Sequence, residues 1–152
     1  MMKKSEVDRF AEDMAGKMGV VFKVLSLGLK KRLCVLNIGP AHMKVLFLLC
    51  ALEQEPTISK ISRSLSISLA MMTRIIDRLE EKKIVSRRAD PRDRRAIRIR
   101  ITEKGRHIAH ELDGLRKREL KKLLNSFDKK DRKKFMKALS AISEVVLKYE
   151  KQ

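Results

Sequence analysis

Between residues 57 and 101 the apolar pattern switches once from helical to alternating, and this switch restricts the fold more than any other feature of the chain. Thr57 is a capping residue ahead of a short helical stretch reaching about Leu65. Ser66 and Ile67 leave room only for a tight turn. Ser68 then caps a second helix, about Leu69 to Lys82, with Met72, Ile75, Ile76 and Leu79 on one face. Ile84 and Val85 open a short strand ending near Ala89, and Asp90-Pro91-Arg92-Asp93 is turn chemistry. Ile97, Ile99 and Ile101 alternate with Arg98 and Arg100, a half-buried strand with a basic outer face. Two short helices joined by a tight turn and followed by such a hairpin form a winged helix-turn-helix.

The flanks read as helices. Residues 5–32 carry Val7, Phe10, Met14, Met18, Val21, Phe22, Leu25 and Leu29 at helical spacing, in a wide stripe. Residues 33–39 are a connection. Gly39-Pro40 begins a helix to about Glu53 that is apolar nearly all round, which makes it the central core helix and Cys50 a core residue. Thr102 caps a helix to about Asn125. Ser126 to Asp128 interrupt it, and Phe135, Leu139, Ile142, Val146 and Tyr149 form a heptad-like stripe in a last helix. One small winged domain cannot cover the first helix and both terminal helices, whereas two copies can. The expected fold is mainly α (α+β): a winged helix-turn-helix over residues 36–106, with 1–35 and 107–152 as the helical dimerisation region of a homodimer.

Charge narrows the partners. Among 152 residues, 37 are Lys or Arg and 19 Asp or Glu, a formal net charge of +18. A chain this basic repels itself unless it meets polyanions, so nucleic acid comes first and an anionic membrane second. Residues 57–101 hold 13 basic and 5 acidic residues, the densest excess, and on a hairpin rather than on one amphipathic helix, which disfavours a membrane surface. Five Phe, one Tyr and no Trp argue against a sheet that stacks single-stranded bases and against a sandwich or barrel core. The basic Met1–Lys4 is followed by acidic residues rather than an apolar stretch. The longest apolar run, Val45–Leu52, is short for a bilayer span, and the two cysteines suit a reducing compartment. The expectation is a soluble, cytoplasmic protein with no membrane partner. No Gly-rich phosphate loop, catalytic Cys/His order or carboxylate pair stands out, so neither enzyme activity nor a cofactor is expected.

Three stretches resemble the MarR family (multiple antibiotic resistance regulators). Leu65 to Ser68 with Met72 to Glu80 resembles its recognition-helix segment. Asp90-Pro91-Arg92-Asp93-Arg94-Arg95, followed by Ile101-Thr102-Glu103-Lys104-Gly105, resembles its wing. Leu36 to Leu46 resembles the opening of its second helix. Two positions depart from the pattern: Lys83 stands where the family usually has Gly, and Gly39 where Thr or Ser commonly caps. A left-handed Lys83 costs about 1 kcal/mol, so a different helix end is expected there. The resemblance implies a cytoplasmic dimer on a pseudo-palindromic operator, usually a repressor. It also implies release by a small phenolic or lipophilic effector bound between the DNA-binding and dimerisation regions, or by oxidation or metal.

In a winged helix the recognition helix, here about 68–82, enters the major groove. Its exposed face offers Ser68, Ala70, Met71, Thr73, Arg74 and Arg78. The fork of Arg74 matches the two acceptors of a guanine edge, Ala70 and Met71 suit thymine methyls, and Ser68 and Thr73 suit phosphates. In the wing, about 87–100, the resemblance puts Arg95 at the minor groove, where a narrow A·T-rich groove attracts it. Arg92, Arg94, Arg98 and Arg100 are expected on phosphates. Asp93 either pairs with an arginine and stabilises the wing or is an ordinary turn aspartate. Cys34 lies among Lys30, Lys31 and Arg32, which favour a thiolate, yet the family's peroxide-sensing cysteines lie nearer the N-terminus. His107 and His110 share a helix face with Glu111; ordinary surface histidines are the favoured reading, and no metal is expected. Met14, Met18, Phe22, Met43 and Phe47 line either an effector cleft or the dimer core. A sequence-specific regulator leads; the alternative is a non-specific architectural DNA-binding protein, which the charge also suits.

Overall fold

A computed structural model describes residues 5–90 and 96–149, and residues 20–28 by their backbone alone. Its described elements are α1 (Glu6–Leu36), α2 (Pro40–Ala51), α3 (Ile58–Ser64), α4 (Leu69–Glu81), β1 (Val85–Ala89), β2 (Ile97–Ile101), α5 (Glu103–Asn125) and α6 (Lys129–Tyr149). This is the mainly helical winged helix-turn-helix read from the period switch. The strands pair antiparallel, from Val85 opposite Ile101 to Ala89 opposite Ile97. Thr57 adds a single bridge to Arg98 on the free side of β2, and the Ile99 N–H donates to Pro56 O at 2.8 Å. The Pro91–Arg95 stretch of the turn, and the side chains of Val21, Phe22 and Leu25, lie outside the described residues.

Three helices end by one device. After α1 the Ile38 N–H donates to Leu33 O (3.0 Å) and the Asn37 N–H to Cys34 O (2.9 Å), with Asn37 left-handed at φ 50°. After α3 the Ile67 N–H bonds Ser62 O and the Ser66 N–H bonds Arg63 O, with Ser66 at φ 52°. After α4 the Ile84 N–H bonds Leu79 O (2.9 Å) and the Lys83 N–H bonds Glu80 O (2.7 Å), with Lys83 at φ 58°. Each is a Schellman motif in which a non-glycine residue takes the left-handed position and the isoleucine after it packs with the core. Two expectations are corrected. α1 runs on to Leu36 because Asn37, not residue 33, ends it. The helix before Lys83 ends as a glycine would end it, because burying Ile84 to 1% exposure outweighs a strain of about 1 kcal/mol. At Gly39 no side chain caps α2; instead the Gly39 N–H donates to His42 Nδ1 at 3.1 Å, which makes half of a capping box.

The chain packs as two compact units, Leu27–Arg116 and the paired ends Met1–Ser26 with Lys117–Gln152. In the first, Val45, Leu46, Ile61, Met72, Ile76, Leu79, Ile99 and Leu112 are fully buried in one core. Cys50 is not among them. It is exposed and shares with Phe47 the side of α2 that borders a cavity against α5, which corrects the expectation of a core cysteine. Gly105 explains the close joint between hairpin and α5: a Cβ there would lie 2.2 Å from Ile84 O. Thr102 completes the joint, its Oγ1 accepting from the Gly105 N–H at 3.0 Å and lying 2.8 Å from Lys83 O. In the second unit Asp128 caps α6 by accepting from the Asp131 N–H at 2.7 Å. Among the described residues no single helix is long and apolar enough to cross a membrane.

Candidate nucleic-acid interface

The turn before α4 is locked from inside. Ser62 is buried and its hydroxyl donates to Ile67 O at 2.6 Å, while Ser68 Oγ accepts from the Met71 N–H at 3.3 Å. With Met72, Ile75, Ile76 and Leu79 held in the core, α4 has one orientation left, and its N-terminal half turns Leu69, Ala70, Met71, Thr73 and Arg74 to solvent. Leu69, 52% exposed, was missing from the sequence-derived set. Spacing gave no signal for it, since Leu69 stands three residues before Met72 and seven before Ile76, in line with the buried stripe, and is exposed in the first turn of the helix. Arg74 makes no hydrogen bond or ion pair with another described residue. Thr73 donates its hydroxyl to Leu69 O at 2.9 Å, so a phosphate would receive that proton only after the bond is broken. Arg78 is drawn back along the helix to Glu81 at 3.0 Å.

The hairpin is bound to α4 by one arginine. Arg87 lies on the inner face of β1 with Val85. Its Nη2 donates to Asp77 Oδ1 at 2.5 Å, its Nη1 to Glu80, and its backbone N–H to Glu80 Oε1 at 3.1 Å. The Asp77 hydrogen bond, with the charges of both carboxylates, raises the Arg87 pKa against the opposing effect of burial. β1 is therefore fixed to α4 through Arg87. Sequence reading missed Arg87 because pattern alone ranks every wing arginine alike.

Arg98 is placed otherwise than a free phosphate ligand. Its Nε and Nη2 each lie 2.5 Å from Asp90 Oδ2, and its Nη1 donates to Glu55 O at 2.7 Å. Asp90 is 6% exposed, so a buried carboxylate consumes this guanidinium and closes the hairpin beside the Asp90 N–H to Ala96 O bond. Asp90 thus makes a loop-bracing pairing of the kind weighed for Asp93, which lies outside the described residues. Arg100 is 3.4 Å from Glu55. Arg88, unnamed at the sequence level, is exposed and without a partner among the described residues. Arg92, Asp93, Arg94 and Arg95 lie outside the described residues.

Other sequence candidates separate. Glu111 accepts from Arg32 Nη2 at 2.8 Å rather than joining His107 and His110, and the described residues hold no cluster of three metal-ligating side chains. Cys34 is exposed. Burial lowers the His42 pKa, and the charges of Arg78 and Lys82 add to the effect against the Gly39 hydrogen bond. A cavity of about 390 Å³ lies between α2 and α5, bounded by Phe47, Cys50, Arg106, Ala109, His110 and Asp113. Arg116 stacks over the Phe47 ring at 5.4 Å, and burial pushes the Cys50 thiol up.

Comparison with known proteins agrees with this architecture. The MarR family model matches residues 38–97. RV1404 from Mycobacterium tuberculosis superimposes with a TM-score of 0.81 at 17% identity, over 94% of this chain and 95% of that one. A MarR transcriptional regulator from Methanosarcina mazei Go1 gives 0.71 at 24% identity, over 91% and 99%. A variant of S. aureus MepR, solved bound to an oligodeoxyribonucleotide, gives 0.63 at 17% identity, over 94% and 99%. Residues 38–97 thus match the MarR family model, and the winged fold built on them is the fold of solved MarR-family transcriptional regulators.

Proposed function

We propose that this chain is a cytoplasmic, sequence-specific transcriptional repressor that binds a pseudo-palindromic operator as a homodimer. The observation that carries the reading is the exposed N-terminal half of α4, with Arg74 unpartnered among the described residues above a buried face and the hairpin strands fixed to the same helix through Arg87. In this reading Arg74 takes a guanine edge, Leu69, Ala70 and Met71 meet thymine methyls, Ser68 holds a phosphate, and Arg95 enters the minor groove beside Arg92 and Arg94 on the backbone. The division of labour is that expected from the sequence, residues 36–106 for DNA and the flanking helices for dimerisation. α6 buries none of its residues, and it exposes Met136, Leu139, Ile142, Val145 and Val146, an apolar surface that a second copy would cover. The cavity between α2 and α5 has the size and apolar floor for a small lipophilic or phenolic effector that releases the DNA.

The test is a binding titration against the chain's own upstream DNA beside scrambled duplex, at two salt concentrations. A preference of about a thousandfold or more, surviving the higher salt, is expected. Equal binding to both duplexes, together with failure of random-site selection to enrich any sequence, would instead identify a non-specific architectural protein.

A further inference from the structure

The outer face of the hairpin carries charge that DNA reading by α4 leaves unused. Register sets Arg88 opposite Arg98 and Ser86 opposite Arg100, so three arginines crowd one sheet face. Like charges directly opposite each other destabilise a strand pair. Two of these arginines are compensated, Arg98 by Asp90 and Arg100 by Glu55, and Arg88 has no partner among the described residues. At the base of the hairpin this face meets the start of α5. A cavity of about 310 Å³ opens there, lined by Ser86, Arg88, Arg100, Thr102, Glu103 and Arg106, with Ile101 at its floor. Three guanidinium groups thus face one carboxylate, and Arg106 meets that carboxylate only at 3.4 Å, with both side chains at least half exposed.

We infer that this cavity binds a small dianion of the phosphomonoester class. With Glu55 counted, Arg88 alone is uncompensated, and Arg100 and Arg106 are each held by a partly exposed carboxylate only at 3.4 Å, so a dianion can draw all three guanidinium groups where a monocarboxylate is satisfied by Arg88. Guanidinium forks and the Ser86 hydroxyl supply donors for several oxygens of one terminal phosphate. A DNA backbone fits less well. The inner face of the hairpin grips α4 through Arg87, so the outer face looks away from the helix that would enter the groove, and the site is concave where a duplex is convex. The site joins β1, β2 and the first turn of α5, the joint from which the wing projects, and it stands independently of the operator reading.

The experiment is a titration of the whole chain with inorganic phosphate at constant ionic strength, followed by backbone amide NMR. Saturable shifts are expected at Ser86, Arg88 and residues 100–106. Arg88→Gln and Arg106→Gln should each weaken the dissociation constant by about tenfold or more, as loss of a charge-assisted hydrogen bond requires. Lys44→Gln, which removes an exposed charge of the same unit away from the cavity, should leave it unchanged. Shifts that never saturate and spread over the surface would overturn the inference. So would shifts centred on the first turn of α4, or arginine variants that bind as wild type. A short duplex that displaces phosphate and shifts the same amides would also overturn it, by making this face a DNA backbone contact.

Discussion

In α4, Met72, Ile75, Ile76 and Leu79 recur at helical spacing and none is more than 1% exposed; in α6, Leu139, Ile142 and Val146 recur in the same manner at 46%, 56% and 50% exposure. Both helices are amphipathic and both are capped by a side chain, Ser68 in one and Asp128 in the other. Their difference is the partner. The stripe of α4 closes on α2, α3 and the hairpin within one unit, so that its outer face is left for a ligand. The stripe of α6 finds no burial within the chain. The same local code thus makes a self-sufficient core helix in one place and, in the proposed dimer, half of an interface in the other. Whether an amphipathic helix reads DNA or reads another copy of itself depends on which of its faces the rest of the chain has covered.

The contrast is sharpest in stability against concentration. Ile76→Ala removes a fully buried side chain and should cost about 4 kcal/mol, equally at every protein concentration, by denaturant unfolding. Leu139→Asp leaves the core alone and places a charge in the open stripe of α6. It should raise the dimer dissociation constant by about a hundredfold, roughly 3 kcal/mol, by sedimentation equilibrium. A monomeric wild type, or a dimer indifferent to Leu139→Asp, would break the comparison by showing that α6 is not an interface.

Much of α4 and its surroundings was legible in the sequence, because caps and periods are local. Thr57, Ser68 and Thr102 cap the helices they were expected to cap, and of the Ile97/Ile99/Ile101 alternation Ile99 and Ile101 give β2 its buried face while Ile97 stays 46% exposed. What escaped was set by tertiary partners. Arg87 and Arg98 read as two more wing cations, yet one is held by Asp77 and Glu80 and the other by Asp90. A faint signal existed: Arg87 falls two residues after Val85, on the inward register, and Asp77 and Glu80 share one face of α4. Cys50 was misread because an apolar run on α2 was taken to be buried on all sides. The end of α1 was misread because Asn37 was not recognised as a left-handed cap.

The exposed side of α4 gives the next prediction. If this face needs DNA where α6 needs protein, Arg74→Ala should leave dimerisation and melting temperature unchanged. It should lose about 2 kcal/mol of discrimination between operator and scrambled duplex, with binding to scrambled duplex much less affected. Uniform weakening on both duplexes would make Arg74 a phosphate contact instead, and unchanged affinity would remove α4 from the interface.

The smallest effect lies where α4 ends. Lys83 holds φ 58°, where a Cβ costs about 1–2 kcal/mol, and its own side chain is exposed, with nothing among the described residues hydrogen-bonded to it. Lys83→Gly relieves that strain while keeping the Ile84 N–H to Leu79 O bond and the burial of Ile84. Glycine also enlarges the freedom of the unfolded chain, which returns part of the gain, about 0.4–1 kcal/mol. The net expectation is a stabilisation of about 0.5–1 kcal/mol in denaturant midpoint, with operator affinity unchanged. Asn37→Gly should gain less, because asparagine already tolerates the left-handed region at the end of α1. Equal gains at both sites would mean that backbone strain alone sets the cost. A loss at Lys83 would mean that its aliphatic stem covers apolar surface at the foot of α4, and that the family's usual glycine was replaced here for packing.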